Sequence, residues 1–321
     1  MKEESLTTEF LRKLKKLRKS KSALVHEISN ILDMDEISVY RRLRGAVRFT
    51  VDEMGLLAQR LNISLDNLLS EQPEGDYQAW KMDLLLIANE NGLDIDAMER
   101  NIPMIEDIPE KAEIEIGGSL GCLTRHFYMH YKQLWRFMHF KWGHYYSKNS
   151  YYDMFNSVQI HPRLSNLLET HLSRYERIKH CFFIWDSLII QKFVNDVQYF
   201  KSMSLLTNED ALLIKEDITK LLNDCEYIAA KGKFEKCDRF DLYISPINID
   251  TSHVYTHYGR HWHYSVEVYG IRPMITSKPY ICEEFCRSIN KLKNASILIS
   301  QSAERERRMF FNEQRELIDL L

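Results

Sequence analysis

The chain has 321 residues, 45% of them hydrophobic, and a formal net charge of −3. That is long enough for two domains with cores of their own, and so small a global charge says nothing for or against a nucleic-acid partner. The most apolar run, Cys181 to Ile190, is too short for a bilayer and contains Asp186, so no membrane span is expected. Six scattered cysteines and an N-terminus without the apolar core of a signal peptide lead us to expect reduced thiols and a cytoplasmic protein.

Local charge is strongly polarised. Between Phe10 and Arg48 stand 11 basic side chains against four acidic ones, a net +7. From Glu71 to Gly118 the balance reverses, with Glu74, Asp76, Asp94, Asp96, Glu106 and Asp107 outnumbering Lys81, Arg100 and Lys111. A basic face followed by an acidic segment suits a nucleic-acid-binding module with a separate linker.

Helical spacing of Phe10, Leu14 and Leu17 predicts a first helix over Leu6 to Lys19. A second follows from Ser22, read as its N-cap, with Leu24, Ile28, Ile31 and Leu32 on one side. Asp33-Met34 turns the chain, Asp35 caps a third helix, and Gly45 ends it. In that helix Val39 and Leu43 face a core while Tyr40, Arg41 and Arg44 point outward. Thr50 caps a fourth helix bearing Val51, Met54, Leu57 and Leu61, and Ser64 caps a short fifth with Leu65, Leu68 and Leu69.

Residues 28–69 resemble the lambda-repressor-like, Xre-type helix-turn-helix family. The resemblance rests on Ile28-Ser29, the Leu32-Asp33-Met34 turn, Arg44-Gly45, and the closing run from Leu57-Ala58-Gln59-Arg60-Leu61 to Leu68-Leu69. Ser29 stands where alanine is usual, and Leu43 where glutamate is frequent. The resemblance implies that Glu36, Ser38, Tyr40 and Arg41 approach base edges, while Arg42, Arg44, Arg48 and Lys21 meet phosphates. It also implies double-stranded DNA as partner and a homodimer, because one recognition helix covers few base pairs.

Gln72 to Asp76 reads as the boundary of this domain, with a short helix around Trp80, Leu84 and Ile87. An irregular connector follows through Pro103 and Pro109 to Gly117-Gly118. Ser119 to Tyr146 carries aromatic residues on several faces and reads as one buried helix. Helices are expected over 162–179, over 180–203, and from a Thr207 cap with Asp210 to about Ala230. After Phe240 the period falls to two. Residues 242–244, 254–257 and 262–269 read as strands, with Gly259-Arg260 as a tight turn. Helices return after Pro279 and after Ser302, the last presenting Phe310, Phe311, Leu317, Ile318 and Leu321 for docking on the sheet or on a second subunit.

His253, His257, His261 and His263 invite a metal hypothesis, but a two-residue turn at Gly259-Arg260 places His261 and His263 on the face opposite His253 and His257. His126 and His130 lack the glutamate of a zinc-protease motif, and Cys282 with Cys286 has no second pair. No phosphate loop, nucleophile elbow or dinucleotide fingerprint occurs. No catalytic, metal or cofactor site is therefore expected.

The expected architecture is mainly α. Residues 1–72 form a five-helix helix-turn-helix domain and 73–118 an acidic linker with one short helix. Residues 119–321 form a helical dimerisation or sensor region with a small antiparallel sheet, its hairpin near 241–269. The expected function is that of a dimeric, sequence-specific transcriptional regulator, with an unidentified small-molecule effector for the C-terminal region. The competing readings are a protein-interaction adaptor whose helix-turn-helix has lost DNA affinity and a metal-dependent enzyme built on the C-terminal histidines.

Overall fold

The computed structural model divides the chain into two units, Met1–Lys81 and Met82–Leu321. It describes residues 6–17, 20–61, 63, 65, 82–84, 88–89, 92–93, 113–160, 162–163, 166, 178–234, 237–268 and 272–321.

In the first unit lie α1 (Leu6–Lys16), α2 (Lys21–Leu32), α3 (Glu36–Leu43) and α4 (Val51–Arg60). Each offers an apolar stripe to one core. Phe10 and Leu14 of α1 meet Leu24, Val25 and Ile28 of α2, Val39 and Leu43 of α3, and Met54 and Leu57 of α4. Phe49, in the loop before α4, packs edge-on against Phe10 at 6.0 Å. Leu43 is one of the core side chains. The expected cap of α2 shifts by two residues: Ser20, not Ser22, accepts the Ala23 amide. Leu65 is helical, but the rest of the expected fifth helix lies outside the described residues, as do the 72–76 boundary and the Pro103–Pro109 connector.

The second unit corrects the expected fold class. Its centre is an eight-stranded mixed sheet, not a small antiparallel one attached to a helical bundle. The strands are β1 (Asp83–Leu84), β4 (Ile114–Leu120), β5 (Ile178–Trp185), β6 (Arg239–Ile244), β7 (His253–Tyr258), β8 (His261–Val268), β9 (Arg272–Thr276) and β10 (Ile297–Leu298), in the order β1-β9-β8-β7-β4-β5-β6-β10. A separate two-stranded ribbon joins β2 (Ala88–Asn89) to β3 (Gly92–Leu93). Strands β4, β5 and β6 run parallel, and every other neighbouring pair is antiparallel. Parallel neighbours need long crossovers. These are α5 (Arg125–Tyr128) and α6 (Lys132–Tyr146) between β4 and β5, then α7 (Ile189–Ser202) and α8 (Asn208–Lys231) between β5 and β6.

Both faces of the parallel strands are covered. Cys181, Phe183 and Trp185 point into the core shared with α5 to α8 and with α10 (Glu304–Ile318). Phe182 and Ile184 point the other way, towards Cys282 and Ile289 of α9 (Pro279–Ala295). A strand buried on both sides reads as a continuous apolar run, without alternation. For this reason 180–203 reads as a helix in sequence, whereas it is β5 followed by α7. Likewise 119–146 is the end of β4, then α5 and α6, and Leu84 lies in β1 rather than in a helix. Of the helix expected over 162–179, the described part begins with helical residues 162, 163 and 166, and Ile178 already belongs to β5.

Gly117 and Gly118 sit inside β4. A Cβ on Gly117 would lie 2.4 Å from the Tyr255 ring and 2.6 Å from Phe182, so this glycine lets aromatic neighbours cross the strand, while one on Gly118 would lie 2.8 Å from the His253 carbonyl oxygen. The hairpin has the expected register, with Tyr258 opposite His261 and Gly259 at φ +57. Thr207 and Asp210 form the expected capping box of α8. The stripe of α10 docks inside its own unit: Phe310 and Phe311 pack against Trp185 at 6.1 and 6.3 Å, tilted and edge-on, and Arg315 pairs with Glu226 of α8.

Candidate nucleic-acid interface

Three local devices aim α3. The first is the turn before it. Asp33 adopts the left-handed conformation, φ 47 and ψ 51, which aspartate tolerates better than most residues. The Ser29 hydroxyl donates to the Met34 carbonyl at 2.6 Å, and the Met34 amide returns to the Ser29 carbonyl. Ser29 thus ties α2 to the turn with its hydroxyl, besides being small.

The second device is the cap. The Asp35 carboxylate accepts the Ser38 amide at 2.9 Å and the Ser38 hydroxyl at 2.7 Å. Both bonds favour the ionised form, and the carboxyl is held below its ordinary range, the hydroxyl bond contributing most.

The third device joins α3 to α4. Glu53 closes a capping box with Thr50, accepting its amide at 2.8 Å. The same carboxylate accepts Nε and Nη2 of Arg42 at 3.1 and 2.8 Å. Arg42 lowers the Glu53 pKa more than any other neighbour. Both side chains are 17% exposed.

The residues expected at the interface therefore divide. Arg41, Arg44 and Arg48 are exposed, and among the described residues none has an ion pair or side-chain hydrogen bond. Arg42 is bound to Glu53. Ser38 is engaged by Asp35. Glu36 is exposed, with His26 Nδ1 3.3 Å from its carboxylate. Tyr40 leans half-buried on the core, with Lys21 Nζ 5.5 Å from its ring. Sequence reasoning missed Ile37, which is 74% exposed. The signal was present: Val39 and Leu43 define the inward face, and a residue two positions before Val39 points away from it.

Residues 2–118 match the BetR domain family, a helix-turn-helix-like DNA-binding family. No curated relative and no solved structure matches the chain. The BetR match contains α1 to α4 of the first unit and runs on into β4 of the second.

The hairpin histidines His253, His257, His261 and His263 pack against aromatic rings. His257 stacks on Trp262 at 4.0 Å and His261 on Tyr258 at 5.1 Å, from opposite faces of the hairpin. His253 Nδ1 meets the Tyr264 hydroxyl. The helix carrying His126 ends at Tyr128, so His130 does not share it. Among the described residues no group of three His, Cys, Asp or Glu could hold a metal, and no helix is long and apolar enough to cross a membrane. A polar cluster does form at the carboxyl end of β4. The amides of Gly121 and Cys122 both donate to Ser252 Oγ, and Cys122 Sγ lies 3.9 Å from Glu267. Burial pushes the Glu267 carboxyl up to about 7 against the pull of Arg125.

Proposed function

We propose that the chain is a sequence-specific transcriptional regulator of the Xre-like kind, acting without catalysis in the cytoplasm as a homodimer. In this reading α3 enters the major groove of duplex DNA, and the second unit supplies dimerisation or senses a small-molecule effector. The observation that carries the reading is the set of exposed arginines, Arg41, Arg44 and Arg48, on and just after the helix of a helix-turn-helix, none of them neutralised among the described residues. A guanidinium left in water without a partner keeps its full capacity for a phosphate or a guanine edge. Dimerisation is supported by size: an eight-residue helix is about 12 Å long and spans few base pairs, so useful specificity calls for two half-sites.

The test is binding of the full chain to duplexes selected from a random pool, measured across a salt series. Each phosphate contact steepens the log-log slope by about 0.9. Arg44→Ala is expected to flatten the slope by that amount for each α3 bound. Arg41→Ala is expected to reduce discrimination between bases by about tenfold, the lower part of the range for one bidentate base contact. Selected sites are expected to be palindromic. Unchanged binding in both variants would remove α3 from the interface.

A further inference from the structure

The geometry points to Ile37 as a residue that reads the C5-methyl group of thymine, an inference that rests on the DNA-binding reading above. Among the described residues of the first unit the exposed large hydrophobics are Ile37, Val51 and Leu56, and of these Ile37 lies on α3. At 3.6 residues per turn, positions 37, 41 and 44 fall within about 60° of arc, so Ile37 heads the stripe that continues through Arg41 and Arg44. It precedes Arg41 by about 6 Å along the axis.

An isoleucine held in water on an otherwise charged stripe contributes nothing to the core beneath it, which Val39 and Leu43 fill. It has no hydrogen-bonding atom in its side chain, so it cannot read a donor or an acceptor. In the major groove the apolar feature of a base edge is the methyl of thymine. A β-branched side chain on a helix is nearly fixed in χ1, so it presents one shape to that methyl. Arg41, one turn on, would read or clamp beside it, which makes the expected element of each half-site a thymine adjacent to the arginine contact.

Deoxyuridine isolates the methyl, because it keeps every hydrogen-bonding group of thymine. In duplexes selected by the full chain, each thymine is replaced singly by deoxyuridine, and affinity is measured for the wild type and for Ile37→Ala. Removing one buried methyl weakens binding by about fourfold. The expected result is one thymine per half-site at which the wild type loses about fourfold on replacement and Ile37→Ala loses nothing. Circular dichroism should be the same for both proteins, since the side chain is exposed.

If every replacement leaves the wild type unchanged while Arg41→Ala still weakens binding, the methyl-reading role is overturned and DNA binding stands. An equal loss by both proteins at the same thymine overturns it as well, because the methyl would then be read by another residue. If no duplex is bound even at low salt, both readings fall.

Discussion

Glu53→Gln tests whether Arg42 is a strut or a phosphate contact. The Glu53 carboxylate accepts two bonds from the Arg42 guanidinium and one from the Thr50 amide, with both charged side chains 17% exposed. Hydrogen bonds to charged groups contribute about 1.5–3 kcal/mol, and a cap about 1 kcal/mol. Glutamine keeps the size and one acceptor oxygen but loses the charge, so a net loss of about 2 kcal/mol in the local stability of the first unit is expected. Exchange of the α3 amides, read by mass spectrometry on the full chain, reports that local opening. A loss of 2 kcal/mol corresponds to about 30-fold faster exchange. Arg42→Ala is expected to accelerate α3 exchange similarly while leaving the salt slope of DNA binding unchanged, and the double variant to be little worse than either single one. The pair is also pH-dependent. A carboxylate whose folded pKa is depressed stabilises the fold above its ordinary range near 4.3, and that contribution is lost as pH falls through the lower folded value. Unchanged α3 exchange in Glu53→Gln, or a slope reduced by about 0.9 in Arg42→Ala without faster exchange, would refute the strut.

Two further outcomes follow from the second unit. Gly117→Ala is expected to lower its thermal midpoint by several degrees or prevent its folding, since the added Cβ would meet the Tyr255 and Phe182 rings below 3 Å and overpacking costs about 1–3 kcal/mol; a midpoint equal to wild type would contradict this. Glu267 binds its proton more tightly folded than unfolded, so the stability it contributes is present in acid and is lost as pH rises through about 7. Glu267→Gln should therefore raise the thermal midpoint at pH 8 relative to wild type and do so much less at pH 4, and a midpoint lowered at pH 8 would show that the carboxylate is needed ionised.

Where one side of an element faces water, its identity could be read directly. The stripes of α1 to α4, apart from Val51, which is exposed, the Asp35, Thr50 and Thr207 caps and the Gly259-Arg260 hairpin follow from spacing and from the chemistry of single residues. The reading failed where both sides are covered. Phe182 to Trp185 shows no period because two different cores claim alternate residues, and helix and strand then look alike. Gly117-Gly118 reads as a loop because the reason for the glycines, the Tyr255 and Phe182 rings at the first and the His253 carbonyl at the second, lies more than sixty residues away.

The candidate interface shows the same division. The charge of the segment 10–48, the turn, the cap and the inward positions Val39 and Leu43 are local properties, and the sequence determined them alone. Which arginine remains available is a tertiary matter. Arg41, Arg42 and Arg44 are equivalent as letters, but Glu53, brought alongside α3 by the packing of α4, neutralises Arg42 and leaves the other two in water. The mixed sheet was likewise decided only in three dimensions, because parallel strands find their partners across crossovers of fifty residues or more, and nothing in a local window records which strand lies next door.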